Sequence, residues 1–162
     1  MRIKTLWGAE IDAAVSKSSV PAAFLAALVA GESGGDPKAR RYEPRVAHHL
    51  ADKHPDWDGD KVYANASSWG LTQILGENYP DDPAELANPQ TNLSFAVIML
   101  AEFAHRFQLD LATEFDPLFR CWNTGEPGDN PATPKIEGKT FDPEYVPRGL
   151  ARIEIYKKLV GL

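Results

Sequence analysis

Residues 21–33, Pro-Ala-Ala-Phe-Leu-Ala-Ala-Leu-Val-Ala-Gly-Glu-Ser, constrain the fold of this chain more than any other stretch. Pro21 supplies a helix start and Gly34-Gly35 a stop. Between them Phe24, Leu25, Leu28 and Val29 stand among five alanines, so the helix has no polar face. A helix that is apolar all round is stable in water only when other elements surround it. The stretch has the apolarity of a secretion-signal core, but Glu10 and Asp12 stand where such a signal carries basic residues. It is also too short to span a bilayer. The expectation is a buried central helix whose last turn carries Glu32 and Ser33, with no signal peptide at the N-terminus.

The remaining segments supply the surrounding elements. Residues 5–17 read as an amphipathic helix with Leu6, Ile11, Ala14 and Val15 inward. A short helical pattern runs from Pro44 to Lys53 within a mixed stretch, residues 36–68, where any small β element is expected. Trp69-Gly-Leu-Thr-Gln-Ile74 reads as a short apolar turn or helix carrying one uncharged polar side chain, Gln73. Asn88 caps and Pro89 begins a long helix to about Phe107, with Leu93, Ala96 or Val97, Leu100, Ala104 and Phe107 at helical spacing. Asp116-Pro117 starts another, through Cys121 to Asn123, ended by Gly125. Residues 125–141 hold repeated Gly and Pro turns and read as a long loop, a rim or lid beside a cleft. Asp142-Pro143 opens a final helix with Tyr145, Val146, Leu150, Ile153, Tyr156 and Val160 on its apolar face and Pro147 disturbing its second turn. The fold class is mainly α, one domain over residues 1–162, with a helical core and at most a small β element.

Composition narrows the function classes. A chain of 162 residues is ordinary in size for one domain and buries roughly two thirds of its unfolded surface. With a formal net charge of -6 and only short basic clusters, Arg40-Arg41 and Lys157-Lys158, it lacks the concentrated cations that a phosphate backbone requires. Nucleic acid is not an expected partner, stable membrane insertion is not expected, and the chain is taken as a monomer. One cysteine, Cys121, excludes an internal disulfide; its apolar neighbours Leu118, Phe119 and Trp122 mark it as core rather than nucleophile. Asp56-Trp-Asp-Gly-Asp60 is spaced like the start of a calcium loop, but the sixth and twelfth positions are Lys61 and Ser67 instead of glycine and glutamate. A solvated turn is expected there. His48, His49, His54 and His105 lack the spacing of a zinc helix. No metal and no cofactor is expected.

Glu32 is the candidate for chemistry. Burial among apolar side chains and the negative end of a helix dipole both disfavour its ionised form, so both raise its pKa. A carboxylic acid that keeps its proton near neutral pH can protonate the leaving oxygen of a glycosidic bond. The alternative at this point is a helix-end glutamate half in solvent.

Four motifs then stand in order: Glu32-Ser33, Gly70-Leu-Thr-Gln-Ile74, Trp122-Asn-Thr-Gly125 and Tyr145-Val146. The set resembles the motifs of the soluble lytic transglycosylases, which share a lysozyme-like fold with goose-type lysozyme, and the resemblance covers about residues 21–160. It implies a lysozyme-like domain acting on peptidoglycan glycan strands. The bond cleaved is the β-1,4 link between N-acetylmuramic acid and N-acetylglucosamine, the product a 1,6-anhydromuramoyl end. Glu32 is then acid and base, assisted by the substrate's own acetamido group. Ser33, Gln73, Trp122, Asn123 and Tyr145 become substrate-binding candidates, with Tyr145 also able to orient Glu32.

The chain departs from the family pattern at Thr72, where methionine is usual and a subsite wall changes, and at Trp122, where tyrosine is usual. Between Ser33 and Gly70 it is longer than the commonest spacing and includes Arg41-Tyr-Glu-Pro44, which resembles phage-borne relatives. Glu43 in that insert is the candidate second carboxylate; placed across a cleft from Glu32, it would activate water and make the enzyme a hydrolytic muramidase, an endolysin. A glycan-binding virion or cell-wall module without turnover is the rival of a different class. Action in the periplasm or cell wall is expected, after delivery by phage lysis, a virion or secretion machinery.

Overall fold

A computed structural model describes residues 2–128 and 142–161. The apolar helix is α2, Ala22–Glu32, and seven successive residues of it, Ala23 to Val29, are buried. Around it lie α1 (Arg2–Val15), α5 (Pro89–Phe107), α6 (Phe115–Thr124) and α7 (Tyr145–Val160). One main core joins them, with Phe24 of α2 stacked on Phe115 and tilted against Phe119 of α6 at centroid separations of 5.5 and 4.5 Å. Asn88 caps α5 by accepting from the backbone N–H groups of Gln90 and Thr91, and Gly125 ends α6 in the left-handed region. Both signals act as the sequence indicates.

The outer helices differ in detail from their sequence patterns. Helix α1 starts at residue 2, earlier than expected, so that Ile3 and Trp7 join Ile11 and Ala14 on one packed line. That line turns Leu6 outward, 46% exposed. The inner line of α7 is Val146, Gly149, Ile153 and Tyr156, which leaves Leu150 on the flank, 37% exposed. Glu144 is the N-cap, so Pro147 falls in the first turn, where no intrahelical N–H is needed, and disturbs nothing.

A smaller lobe holds α3 (Pro44–Lys53), α4 (Gly59–Asn65) and a three-stranded antiparallel sheet, β1 (Arg40–Tyr42), β2 (Ser67–Trp69) and β3 (Ile74–Leu75), in that order. The acidic run before α4 is more than a solvated turn: the Asp58 carboxylate accepts from the Lys61 N–H and caps the helix. Of the turn or helix expected over residues 69–74 the structure has the turn, closed as a hairpin between β2 and β3. Gly70 at φ +71° and Gln73 at φ +54° take left-handed conformations that a helix cannot contain, and Trp69 pairs with Ile74 across them.

One buried side chain of α5 holds that hairpin. Asn92, 0% exposed, accepts at Oδ1 from the Thr72 N–H and hydroxyl and donates from Nδ2 to the carbonyls of Trp69 and Leu86. The turn passes so close that a Cβ on Gly70 would lie 2.2 Å from the Leu86 carbonyl and 2.5 Å from Asn92 Nδ2. Thr72 is equally buried; its hydroxyl serves this hub and does not form a subsite wall. Replacing Asn92 with alanine strands buried donors and acceptors at a cost of roughly 1–3 kcal/mol each. Denaturant unfolding of Asn92→Ala is therefore expected to show a loss of roughly 2–4 kcal/mol; a loss below about 1 kcal/mol would mean that the hub is not what holds the hairpin.

Candidate active site

The end of α2 is where the candidate residues meet. Glu32 is its last helical residue and Ser33 its C-cap. Glu32 is partly accessible as a residue, yet its carboxyl is withdrawn from water enough that burial is the dominant influence on it and raises its pKa. Three groups pull the other way without prevailing: the Tyr145 hydroxyl by hydrogen bonding, then the charges of Arg41 and Arg152. Tyr145, the first residue of α7, donates its hydroxyl proton to Glu32 Oε1 at 2.5 Å. Burial first, then the charge and hydrogen bond of Glu32, push the Tyr145 hydroxyl pKa far up, so it stays a neutral donor.

Arg152 lies on the same face of α7 as Tyr145, two turns further on. It comes against α2 at Gly31, where a Cβ would stand 2.9 Å from its guanidinium. Arg41 belongs to β1, opposite Ser68. The sequence marks Arg41 only as part of a short basic cluster and of the insert, and Arg152 not at all; neither is a site candidate there, because nothing local says that β1 and α7 converge on the end of α2.

The Ser33 hydroxyl donates to the Leu71 carbonyl at 2.7 Å and accepts from the Gly35 N–H, fastening the end of α2 to the hairpin. Gln73 spends its amide N–H groups on the carbonyls of Ala39 and Gly70. Trp122, in the last turn of α6, donates its indole N–H to the Thr72 carbonyl at 3.2 Å and braces the same turn. Asn123 beside it is exposed. Glu43 sits just beyond β1, paired with Arg41 through Nε at 2.7 Å. The hairpin thus brings Ser33, Gln73 and Trp122 into one bonded frame, with Glu32 and Tyr145 at its α2 edge.

Cys121 is buried, and burial pushes its thiol up to about 11, as befits a core side chain. Of the expected lid, residues 129–141 lie outside the described residues. A surface depression of about 610 Å³ between α1 and α7 borders Pro21 and Ala22, at the opposite end of α2 from Glu32, and contains none of the candidate residues.

A buried carboxyl with a raised pKa destabilises the fold when it ionises. The contribution of protonated Glu32 is fully present below the ordinary glutamate value of 4.5 and is lost as pH rises through the higher folded value. Glu32→Gln, which keeps an acceptor for Tyr145 and has no proton to lose, is expected to melt above the wild type at pH 7. The gap should close below pH 4.5. Thermal unfolding across that range checks it, and a gap independent of pH would contradict the burial of this carboxyl.

Comparison with known proteins gives one family: the model described as the transglycosylase SLT domain matches residues 10–114. No curated protein and no solved structure matches the chain. The matched span contains Glu32, Ser33, Glu43 and Gln73; Trp122, Asn123 and Tyr145 lie beyond it.

Proposed function

The chain belongs to the transglycosylase SLT domain family, whose general work is lytic-transglycosylase-type action on peptidoglycan, and from that premise we propose that it cleaves the bond between N-acetylmuramic acid and N-acetylglucosamine without consuming water. The observation that carries this is the Glu32 carboxyl, desolvated at the end of α2 and held at 2.5 Å by a tyrosine hydroxyl.

Protonated Glu32 delivers its proton to the glycosidic oxygen as the bond from C1 of the muramoyl unit to that oxygen breaks, and the N-acetylglucosamine leaves with a hydroxyl. The 2-acetamido oxygen of the muramoyl unit stabilises the cationic C1. Glu32, now a carboxylate, takes the proton of the C6 hydroxyl while O6 bonds to C1, closing the 1,6-anhydro ring and returning Glu32 to its starting state. One carboxyl group suffices because donor and acceptor are the same side chain at successive steps. Tyr145 holds that side chain in one rotamer and, as a hydrogen-bond donor, favours the ionised form that performs the second step.

The supporting residues divide by what their polar atoms have left. Among the described residues the Gln73 amide carbonyl has no donor and the Asn123 amide no partner, so the first can accept from a sugar hydroxyl and the second can serve an acetamido or peptide group. Trp122 offers an indole face for stacking. Ser33 acts through position, since its hydroxyl is committed to the hairpin. Among the described residues no helix is long and apolar enough to cross a membrane. The place of action follows the substrate, in the periplasm or cell wall.

Digestion of purified sacculi tests the proposal. The wild type should release 1,6-anhydromuramoyl products, and Glu32→Gln should fall roughly 100- to 10,000-fold in rate. Products one water heavier would show hydrolysis and bring Glu43 forward as a second carboxylate. Inactivity of both proteins with retained glycan binding would leave a binding module.

A further inference from the structure

Of the two cations that act on Glu32, Arg152 is packed against α2 at Gly31, whereas Arg41 is mostly exposed and has no such place in the packing. A strand alternates its side chains between faces. Arg40 therefore lies on the face opposite to Arg41, and it is fully used there: its guanidinium sits over the rings of Trp69 at 3.7 Å and Tyr63 at 4.4 Å. Arg41 shares its own face with Glu43 and stands two residues beyond Ala39, whose carbonyl accepts from the Gly70 N–H and the Gln73 amide of the hairpin that Ser33 fastens to the end of α2; its charge is felt by Glu32 more than that of Arg152.

Two features argue against an ordinary surface pair. Only Nε of Arg41 is bonded, to Glu43, so the two terminal NH₂ groups have no partner among the described residues. They point their donors from a side chain that is 66% exposed, in the planar fork that fits a carboxylate. An exposed cation also lowers the pKa of a neighbouring acid that must keep its proton, beyond the lowering that Tyr145 and Arg152 already supply. An exposed pairing with Glu43 offsets it weakly, because water screens both. An anion brought by the substrate, seated on the free fork, removes that conflict at the moment of reaction.

We infer that Arg41, held in place by Glu43, is a specificity-determining residue whose terminal guanidinium nitrogens bind a carboxylate carried by the muramoyl unit beside Glu32. The inference rests on the peptidoglycan substrate proposed above. Two carboxylates share this chemistry: that of the lactyl ether where the muramoyl unit bears no peptide, and those of the stem peptide where the lactyl group is tied up as an amide.

The experiment offers glycan strands in two forms, stem-free and stem-bearing, each native and after conversion of its carboxylates to amides. The ratio of kcat/KM on native and amidated strands is read for the wild type and Arg41→Gln. The wild type should prefer native strands by about tenfold in one pair, the value of a charge-assisted hydrogen bond, and Arg41→Gln should lose that preference. A preference confined to stem-free strands identifies the lactyl carboxylate; one confined to stem-bearing strands identifies the peptide. No preference in the wild type, or an undiminished one in Arg41→Gln, overturns the inference. Co-sedimentation of Glu32→Gln and of the Glu32→Gln, Arg41→Gln double variant with the same strands reads the preference without turnover. Strands bound selectively but never cleaved by the wild type would refute the proposed reaction and leave this inference standing; binding of none would refute both.

Discussion

Helix α2 has no face to give to water, and the arrangement of the main core follows from that. Phe24, Leu25, Leu28 and Val29 are each at most 1% exposed, and burying side chains of this size contributes roughly 1.5–3 kcal/mol apiece. Helices α1, α6 and α7 are held by what they cover, and each presents a line of apolar residues at helical spacing to do so. The consequence for chemistry lies in where the burial ends. Glu32 is the first charged residue met on leaving the core along α2, at the point where α7 begins and the hairpin turns, so its environment is assembled by helix packing instead of by a loop.

The electrostatics there are a contest of opposed influences. Withdrawal from water raises the Glu32 pKa; the Tyr145 hydrogen bond and the Arg41 and Arg152 charges lower it; the first prevails. A general acid benefits from this balance, because a carboxyl pushed up without limit would release its proton poorly, and one with an ordinary pKa would have none to give near neutrality. The neutral Tyr145 hydroxyl stabilises the carboxylate without bringing a second charge into the site. Ser33, Gln73 and Trp122 contribute rigidity. Their hydrogen bonds to the 69–74 hairpin, itself pinned by Asn92, fix the end of α2 against the smaller lobe.

Much of this was legible in the sequence, for physical reasons that differ from residue to residue. The central helix could be read because its all-round apolarity has only one stable setting, and Glu32 because a carboxylate at such a helix end has no role in solubility. The cap at Asn88 and the stop at Gly125 are local chemistry and lie where they were expected. Tyr145 was named through a family motif, and the structure brings its hydroxyl onto Glu32. What stayed hidden depends on contacts between distant segments. Asn92 is one polar residue on an otherwise regular helix, and its four hydrogen bonds run to residues 69, 72 and 86. The hairpin at 69–74 has too few residues to show alternation. Arg41 and Arg152 act through space on Glu32 from β1 and α7, and Thr72 was placed in a cleft wall although its hydroxyl closes a buried network.

The state of the Glu32 proton is the point at which the fold and the proposed reaction meet, and side-chain carboxyl carbon NMR reads it directly. Titration of the folded protein should show Glu32 changing ionisation above the ordinary value of 4.5, and higher still in Tyr145→Phe, where burial acts without the stabilising hydroxyl. A midpoint at or below 4.5 in the wild type, or a downward move on removing the hydroxyl, would contradict a desolvated acid held by Tyr145.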